Sequence, residues 1–241
     1  MTWRLSVHEE LPSTQDAVLA GAAAGEADGY AVLALTQSAG RGTQGRPWRS
    51  PRGNLCLSVL LRPDGAAREL PQWSLLAAVA LADAVAGCLP DAGALRLKWP
   101  NDLLLGGAKA AGILTQAAPD GAGGIAWLAF GFGVNLAEAP PLPDRPTASL
   151  AGQGVSPPTP VDFAWRLLGA LDRWRDRLAA EGFAPIRAAW MARGPAAGAP
   201  LTVSQAGAPL QGTYAGLAED GRLLLCSKEG RIAVSSGEIR G

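Results

Sequence analysis

Gly40-Arg41-Gly42-Thr43-Gln44-Gly45-Arg46-Pro47-Trp48-Arg49-Ser50-Pro51 is the stretch on which the choice of fold turns. Its first six residues spell G-x-G-x-x-G. They follow a short apolar run, Tyr30 to Thr36, that reads as a buried strand. A dinucleotide-binding crossover needs a helix to open inside that pattern. Pro47 and Pro51 oppose it, because proline lacks the amide donor and clashes with the preceding turn. A phosphate-cradling P-loop fails as well, since Gly45 is followed by Arg46 and Pro47 rather than lysine and a hydroxyl residue. What remains is a glycine loop carrying Arg41 and Arg46. Two readings stay open. It is an anion-binding loop, with glycines admitting close backbone approach and arginines offering bidentate bonds, or it is a solvated turn with surface arginines.

Upstream of the loop, Trp3, Leu5 and Val7 alternate with polar neighbours as in a short strand. Ser13-Thr14-Gln15-Asp16 fits a capping box, which predicts a helix to about Ala24 that stops at Gly25. Downstream, Leu55, Leu57, Val59 and Leu61 repeat with period two. From Trp73 the apolar positions 73, 76, 77, 80, 81, 84, 85 and 88 predict a helix with one buried face. Leu95, Leu97 and Trp99 alternate again, and Ala110 to Gln116 and Ile125 to Leu136 read as two more strands joined by a glycine-rich turn. Thr159-Pro160-Val161-Asp162 places a cap, a proline and an acid at the head of a helix whose buried line is Leu167, Leu168, Leu171, Trp174 and Leu178. A short helix is expected around 186–192. Gly194 to Pro200 is a linker by composition. Beyond it, short strands parted by Gly207, Asp220-Gly221 and Glu229-Gly230 predict a small β unit packed on the larger one. The expected domains are 1–194 and 195–241.

Composition narrows the function. The chain of 241 residues carries 21 basic and 21 acidic side chains, a balance that disfavours a general nucleic-acid or membrane-surface binder. Three widely spaced cysteines form no disulfide framework and no metal-ligand spacing. No signal peptide or spanning-length apolar run is visible, so a soluble cytoplasmic protein is expected. Only three of the basic residues are lysines: Lys98, Lys109 and Lys228. Lys109 stands among small apolar residues, either snorkelling from a strand end or aimed at an anion. Lys98-Trp99-Pro100-Asn101-Asp102 puts a cation, an amide and a carboxylate on one tight turn. It could serve a ligand or Mg²⁺, or Asn101 and Asp102 could simply bond their own backbone. Gly131 and Gly133 bare one face of a strand, for a flat group or for a bulge. His8 is the single histidine, and no nucleophile has a recognisable setting beside it.

Taken in order, Ser13-Thr14-Gln15, Gln37 through Trp48, Gly53-Asn54-Leu55, Lys98 through Asp102, Lys109 through Leu114 and Gly131 through Asn135 resemble the biotin protein ligases. The likeness extends to Ser236-Gly237-Glu238-Ile239, so it covers the whole chain. It implies an α/β (α+β) catalytic domain with a mixed sheet, followed by an SH3-like β barrel. It also implies a reaction in two steps: biotin and ATP give biotinyl-5′-AMP, and the lysine of a biotin carboxyl carrier domain then displaces AMP. No enzyme nucleophile is needed, in keeping with the missing triad. Mg²⁺ is expected with the nucleotide.

Carried over by motif, the catalytic group is Lys109, Arg41 and Asp102. Biotin would meet Ser13, Thr14, Gln15, Gln37, Arg41, Gly42, Thr43, Lys109 and Gly112. The nucleotide would meet Arg46, Trp48, Asn54, Lys98, Asn101 and Asn135. No metal ligand is assigned. Thr43 stands where the family loop often has another arginine, so the loop carries less charge. The matching pattern begins by Ser13, which leaves no room for the family's DNA-binding domain; neither DNA nor membrane is an expected partner, and a homodimer is left open. The rival readings are a lipoate ligase of the same superfamily and a non-catalytic biotin or nucleotide sensor.

Overall fold

A computed structural model describes residues 2–205 and 208–240, and Arg240 by its backbone only. The N-cap half of the predicted capping box forms. Ser13 Oγ accepts from the Asp16 amide at 3.2 Å, opening α1 (Thr14–Ala23), and Gly25, at φ 86°, follows its end. This helix is the crossover between the parallel strands β1 (Arg4–Leu11) and β2 (Tyr30–Gln37). Every other neighbouring pair is antiparallel. β3 (Leu55–Leu61), β4 (Leu95–Lys98), β5 (Asp102–Leu105), β6 (Ala108–Pro119) and β7 (Ile125–Val134) complete a seven-stranded mixed sheet of order β1-β2-β3-β7-β6-β5-β4.

Both faces of the sheet are covered. On one, α1 sets Val18 and Ala22 against Val32, Leu60 and Ala129. On the other, α2 (Leu70–Ala86) and α3 (Pro160–Glu181) pack over Leu33, Leu57, Val59, Phe130 and Phe132. The period-two run forms β3, buried along its whole length because α1 covers the face that Ser58 and Leu60 share. One expectation is corrected here. The helix after Trp73 is buried on nearly all sides rather than one, because α3 and α4 (Ala184–Met191) pack on it in addition to the sheet. Thr159 caps α3 as predicted, its Oγ1 accepting from the Asp162 amide at 3.1 Å.

The C-terminal residues form a second, antiparallel sheet of β8 (Pro200–Ser204), β9 (Leu210–Leu217), β10 (Leu223–Ser227), β11 (Gly230–Val234) and β12 (Glu238–Arg240), in the order β11-β10-β9-β8-β12. The expected class, a mixed α/β sheet followed by a small β unit, is the one observed. Gly207, expected as a strand separator, lies outside the described residues. Val203, Tyr214, Leu217 and Leu223 of the small sheet belong to the same apolar cluster as α2 and α4, so one core runs through both units. Arg187 Nε of α4 also donates to Leu217 O at 2.6 Å. Among the described residues no helix is long and apolar enough to cross a membrane.

Candidate active site

The sheet face under α1 changes character along its length. Where the body of the helix lies, Val18 and Ala22 meet apolar strand residues. At the head of the helix the strands present Gly131 and Gly133 of β7 and Gly112 of β6, with Gly112 and Gly133 paired in register. No bulge interrupts the ladder there, which settles the open reading of these glycines: a flat group does lie on the bared backbone. It is the indole of Trp48. A Cβ at Gly133 would sit 2.3 Å from Trp48 Cε2. Beside it, a Cβ at Gly131 would sit 2.7 Å from Gln15 Oε1.

Around this glycine floor the polar groups interlock. The Thr14 amide donates to Gln37 Oε1 at 2.7 Å, Thr14 Oγ1 donates to the same oxygen at 3.1 Å, and Ser58 Oγ lies 2.9 Å from Thr14 Oγ1. Gln15 Nε2 donates to Gln116 Oε1 at 3.1 Å, while the buried Gln15 Oε1 has no hydrogen-bond partner. The cavity left between these groups, the loop residues Arg41, Gly42 and Thr43, and Trp48 measures about 50 Å³. The loop is a small hairpin: Gly42 N donates to Arg46 O at 2.7 Å and Trp48 N to Gly40 O at 2.8 Å, with one 3₁₀ turn at Thr43–Gly45. No helix opens in it, and Arg41 pairs with Asp16 on α1.

Lys109 stands at the edge of this pocket and borders two further cavities. One, of about 280 Å³, is walled by Trp48, Asn135 and the prolines 140, 141 and 143. The other, a cleft of about 980 Å³ between the mixed sheet and the small sheet, is lined by Arg46, Lys98, Lys109 and Arg145, with Asp102, Asp144 and Glu238 among them. Lys109 Nζ is 2.5 Å from Asp102 Oδ1, and 5.7 Å from the centroid of the Trp48 ring, within cation–π range. Glu238 of β12 joins the units, its Oε2 3.1 Å from Arg46 Nη2 and its Oε1 2.9 Å from Arg145 Nη1. Burial pushes the Glu238 carboxyl up, but its bonds to the two arginines outweigh this and hold it below the ordinary value. Burial, opposed by the charge of Asp102, lowers Lys98. The four cations outnumber the three carboxylates in this lining, a balance that favours anions.

Known proteins resemble this chain in sequence and in fold. The profile of the biotin/lipoate A/B protein ligase family matches residues 9–130. A biotin–[acetyl-CoA-carboxylase] ligase of Paracoccus denitrificans is 43% identical over 175 residues, spanning 70% of this chain and 72% of that one. The chain belongs to this ligase family. A bifunctional ligase/repressor of Bacillus subtilis is 34% identical over 203 residues, and the match spans 79% of this chain and 59% of that one. The solved biotin protein ligase of Aquifex aeolicus, in complex with biotin and ATP, superposes with a TM-score of 0.82 over 98% of this chain and 97% of that one at 24% identity, a likeness of fold.

Within this ligase fold the expected site residues do not all fare alike. Ser13, Thr14, Gln15, Gln37, Arg41, Gly42, Thr43, Lys109 and Gly112 surround the small pocket, and Arg46, Lys98 and Asp102 face the large cleft. Asn101 and Asp102 do not bond their own turn. Asn101 Nδ2 donates to Ile113 O at 2.7 Å, pinning the turn to β6, and Asp102 pairs with Lys109. Asn135 Nδ2 donates to Ala148 O at 3.0 Å, fixing the segment beside Lys109. Asn54 lines none of these cavities; its amide is engaged with the backbone at Ala137 and Glu138. His8 is exposed on β1, away from the site. Four residues carry the site without having been expected: Ser58, Gln116, Arg145 and Glu238. Ser58 is a hydroxyl in an otherwise apolar strand run, and that was its signal. Glu238 lay inside a stretch that carried the resemblance. Arg145, between prolines, had none.

Proposed function

We propose that the chain is an ATP-dependent biotin ligase that forms biotinyl-5′-AMP and passes the biotinyl group to a lysine of a carboxyl carrier domain. The observation that carries the reading is the place of Lys109, at the joint between a neutral, hydrogen-bonding pocket and a cation-lined cleft. Biotin has the matching asymmetry, a neutral ureido ring at one end and a carboxylate at the other. Its ring belongs on the glycine floor, where Gln15 Oε1 waits for an N–H donor and Thr14, Gln37 and Ser58 supply further polar contacts. Its carboxylate then reaches Lys109, and the nucleotide's phosphates occupy the cleft beyond. The names of the relatives from Paracoccus denitrificans and Aquifex aeolicus point the same way.

In the first step a carboxylate oxygen attacks the α-phosphorus, and the bond to pyrophosphate breaks with its electron pair leaving on pyrophosphate. Two anions must meet, and Lys109 screens them both in a nearly buried place, where a fixed charge acts most strongly. Arg46 and Lys98 steady the leaving group. In the second step the carrier lysine's amine attacks the acyl carbon, AMP departs, and the amine gives up a proton. The chain's own groups hold and orient; none forms a covalent intermediate. Mg²⁺ fits as part of the substrate. Among the described residues there is no cluster of three or more metal-ligating side chains, and Asp102 is already engaged by Lys109. The ion would come on the phosphates, as is usual for MgATP. The pocket's remaining 50 Å³ is too small for biotin, so Trp48 or the 41–46 loop must shift to admit it. The reading calls for a compartment that supplies ATP, and the three free cysteines are in keeping with the reducing cytoplasm.

Lipoate activation follows the same chemistry, but the pocket argues for biotin. Lipoate's dithiolane ring has no hydrogen-bonding group, so the buried Gln15 Oε1 would stay unpaired against it, and such sites reject a ligand that cannot answer them. Incubation with MgATP, biotin and the biotin carboxyl carrier domain of acetyl-CoA carboxylase tests the proposal. The expected result is one biotinyl addition per carrier by mass spectrometry with one AMP released; an unmodified carrier and no AMP would refute it.

A further inference from the structure

Asp102 turns a different oxygen to each of two cations. Oδ1 lies 2.5 Å from Lys109 Nζ, and Oδ2 lies 3.4 Å from Arg145 Nη1. The carboxylate is 6% exposed, against 15% for the Lys109 side chain and 20% for that of Arg145. A carboxylate this deep needs a positive partner, since removing the partner of a buried charge is strongly destabilising. The reaction asks Lys109 to share its three N–H donors between Asp102 and the substrate anions. Its ammonium must face the substrate carboxylate and the α-phosphate, and it cannot hold Asp102 Oδ1 with equal strength at the same time.

Arg145 is built to stay when Lys109 is shared. Its Nε and Nη2 donate to Asp144 Oδ2 at 3.0 and 2.7 Å, and its Nη1 donates to Glu238 Oε1 at 2.9 Å. Its segment is tied to the backbone of Lys109, not to the side chain: Lys109 N donates to Pro146 O and Ala148 N to Lys109 O, each at 2.9 Å. Lys98, opposite Asp102 in the β4–β5 register, adds positive charge nearby.

We propose that Arg145 is a positioning residue that keeps Asp102 compensated while Lys109 engages the substrate anions. It acts through Asp102 and makes no contact with the reacting atoms. Without it, Asp102 draws Lys109 into an exclusive pair, and the lysine is withheld from the bond-forming step. The inference rests on the adenylating reading of the site. It assigns a function to a residue in the proline-rich 140–150 stretch that no sequence motif marks.

The test compares wild type, Arg145→Gln and Arg145→Lys as full chains. It reads biotin affinity without ATP, kcat and KM for ATP in biotin-dependent pyrophosphate release, and Tm. Arg145→Gln should lower kcat about tenfold or more, the scale of one lost charge-assisted contact, with biotin affinity and Tm close to wild type. Arg145→Lys should restore most of kcat, because one positive charge near Asp102 Oδ2 suffices. An unchanged kcat in Arg145→Gln overturns the proposal. So does an equal loss in both variants with a lowered Tm, the signature of a guanidinium fork that only clamps Asp144 and Glu238. Should Arg145→Gln not fold, Arg145→Lys decides alone, near-wild-type kcat supporting the proposal and a large loss overturning it. If wild type itself releases no pyrophosphate with biotin, the functional reading falls and this one with it.

Discussion

The glycine-floored pocket and the charged cleft meet at Lys109 but are built in opposite ways. The pocket is local and neutral. Its floor is three glycines on two neighbouring strands, and its rim is the head of α1, Gln37 at the end of β2 and Ser58 of β3. The cleft is assembled from far-apart segments and held by charge, with Glu238 of the last strand bridging Arg46 and Arg145. The difference teaches where selectivity and chemistry reside. A neutral pocket discriminates by shape and unpaired hydrogen bonds, whereas a cationic cleft accepts a polyanion with little regard to the rest of the molecule.

If that division is right, the largest effect comes from the residue the two regions share. Lys109→Ala should slow adenylate formation by about 2.7–4 kcal/mol, roughly 100- to 1,000-fold, while biotin still binds the pocket. Stopped-flow pyrophosphate release beside calorimetric biotin binding separates the two, and a loss of both together would show that the regions are not distinct. Arg41 belongs to the pocket's cover, tied to α1 through Asp16. Arg41→Gly should still make the adenylate but retain it about 10- to 150-fold less well, the scale of a hydrogen bond to a charged group of ~1.5–3 kcal/mol. A bystander protein blotted for biotin reads the leak, and low labelling equal to wild type would remove Arg41 from the closing role.

Legibility followed the same division. The N-caps at Ser13 and Thr159, the bare glycines and the loop's refusal to start a helix all rest on local chemistry, and the structure shows each of them. What sequence could not show is what lies across the chain. The full burial of β3 and α2 depends on which helices cover them. Asn54, Asn101 and Asn135 stand in promising motifs, yet their amides hold backbone segments 83, 12 and 13 residues away. Glu238 and Arg145 become partners only when the small sheet docks.

Two smaller effects sharpen the contrast. Gly133→Ala places a methyl group 2.3 Å from the rigid Trp48 ring, and overpacking of this kind costs about 1–3 kcal/mol. It should lower Tm and weaken biotin binding while leaving the cleft's ATP affinity alone; a pocket that tolerated it would not be closed by Trp48. Glu238→Gln acts on the cleft by pH. The folded-state pKa of Glu238 is held below the ordinary 4.5, so its contribution to stability is present above that value and is lost as pH falls through the lower folded one. The variant should be slightly less stable than wild type at neutral pH and equal to it in acid, as thermal unfolding across pH would record. A difference that persisted in acid would mean the loss is one of packing, not of charge.

The account stands on one claim: a neutral ring is read on the glycine floor and its carboxylate is activated at Lys109. Pyrophosphate release measured with MgATP and either biotin or lipoate, on wild type and Lys109→Ala side by side, tests it most directly. Rapid release with biotin, little with lipoate, and a collapse of the biotin signal in Lys109→Ala are expected. Equal release with both acids, or a biotin signal that survives the loss of Lys109, would contradict it.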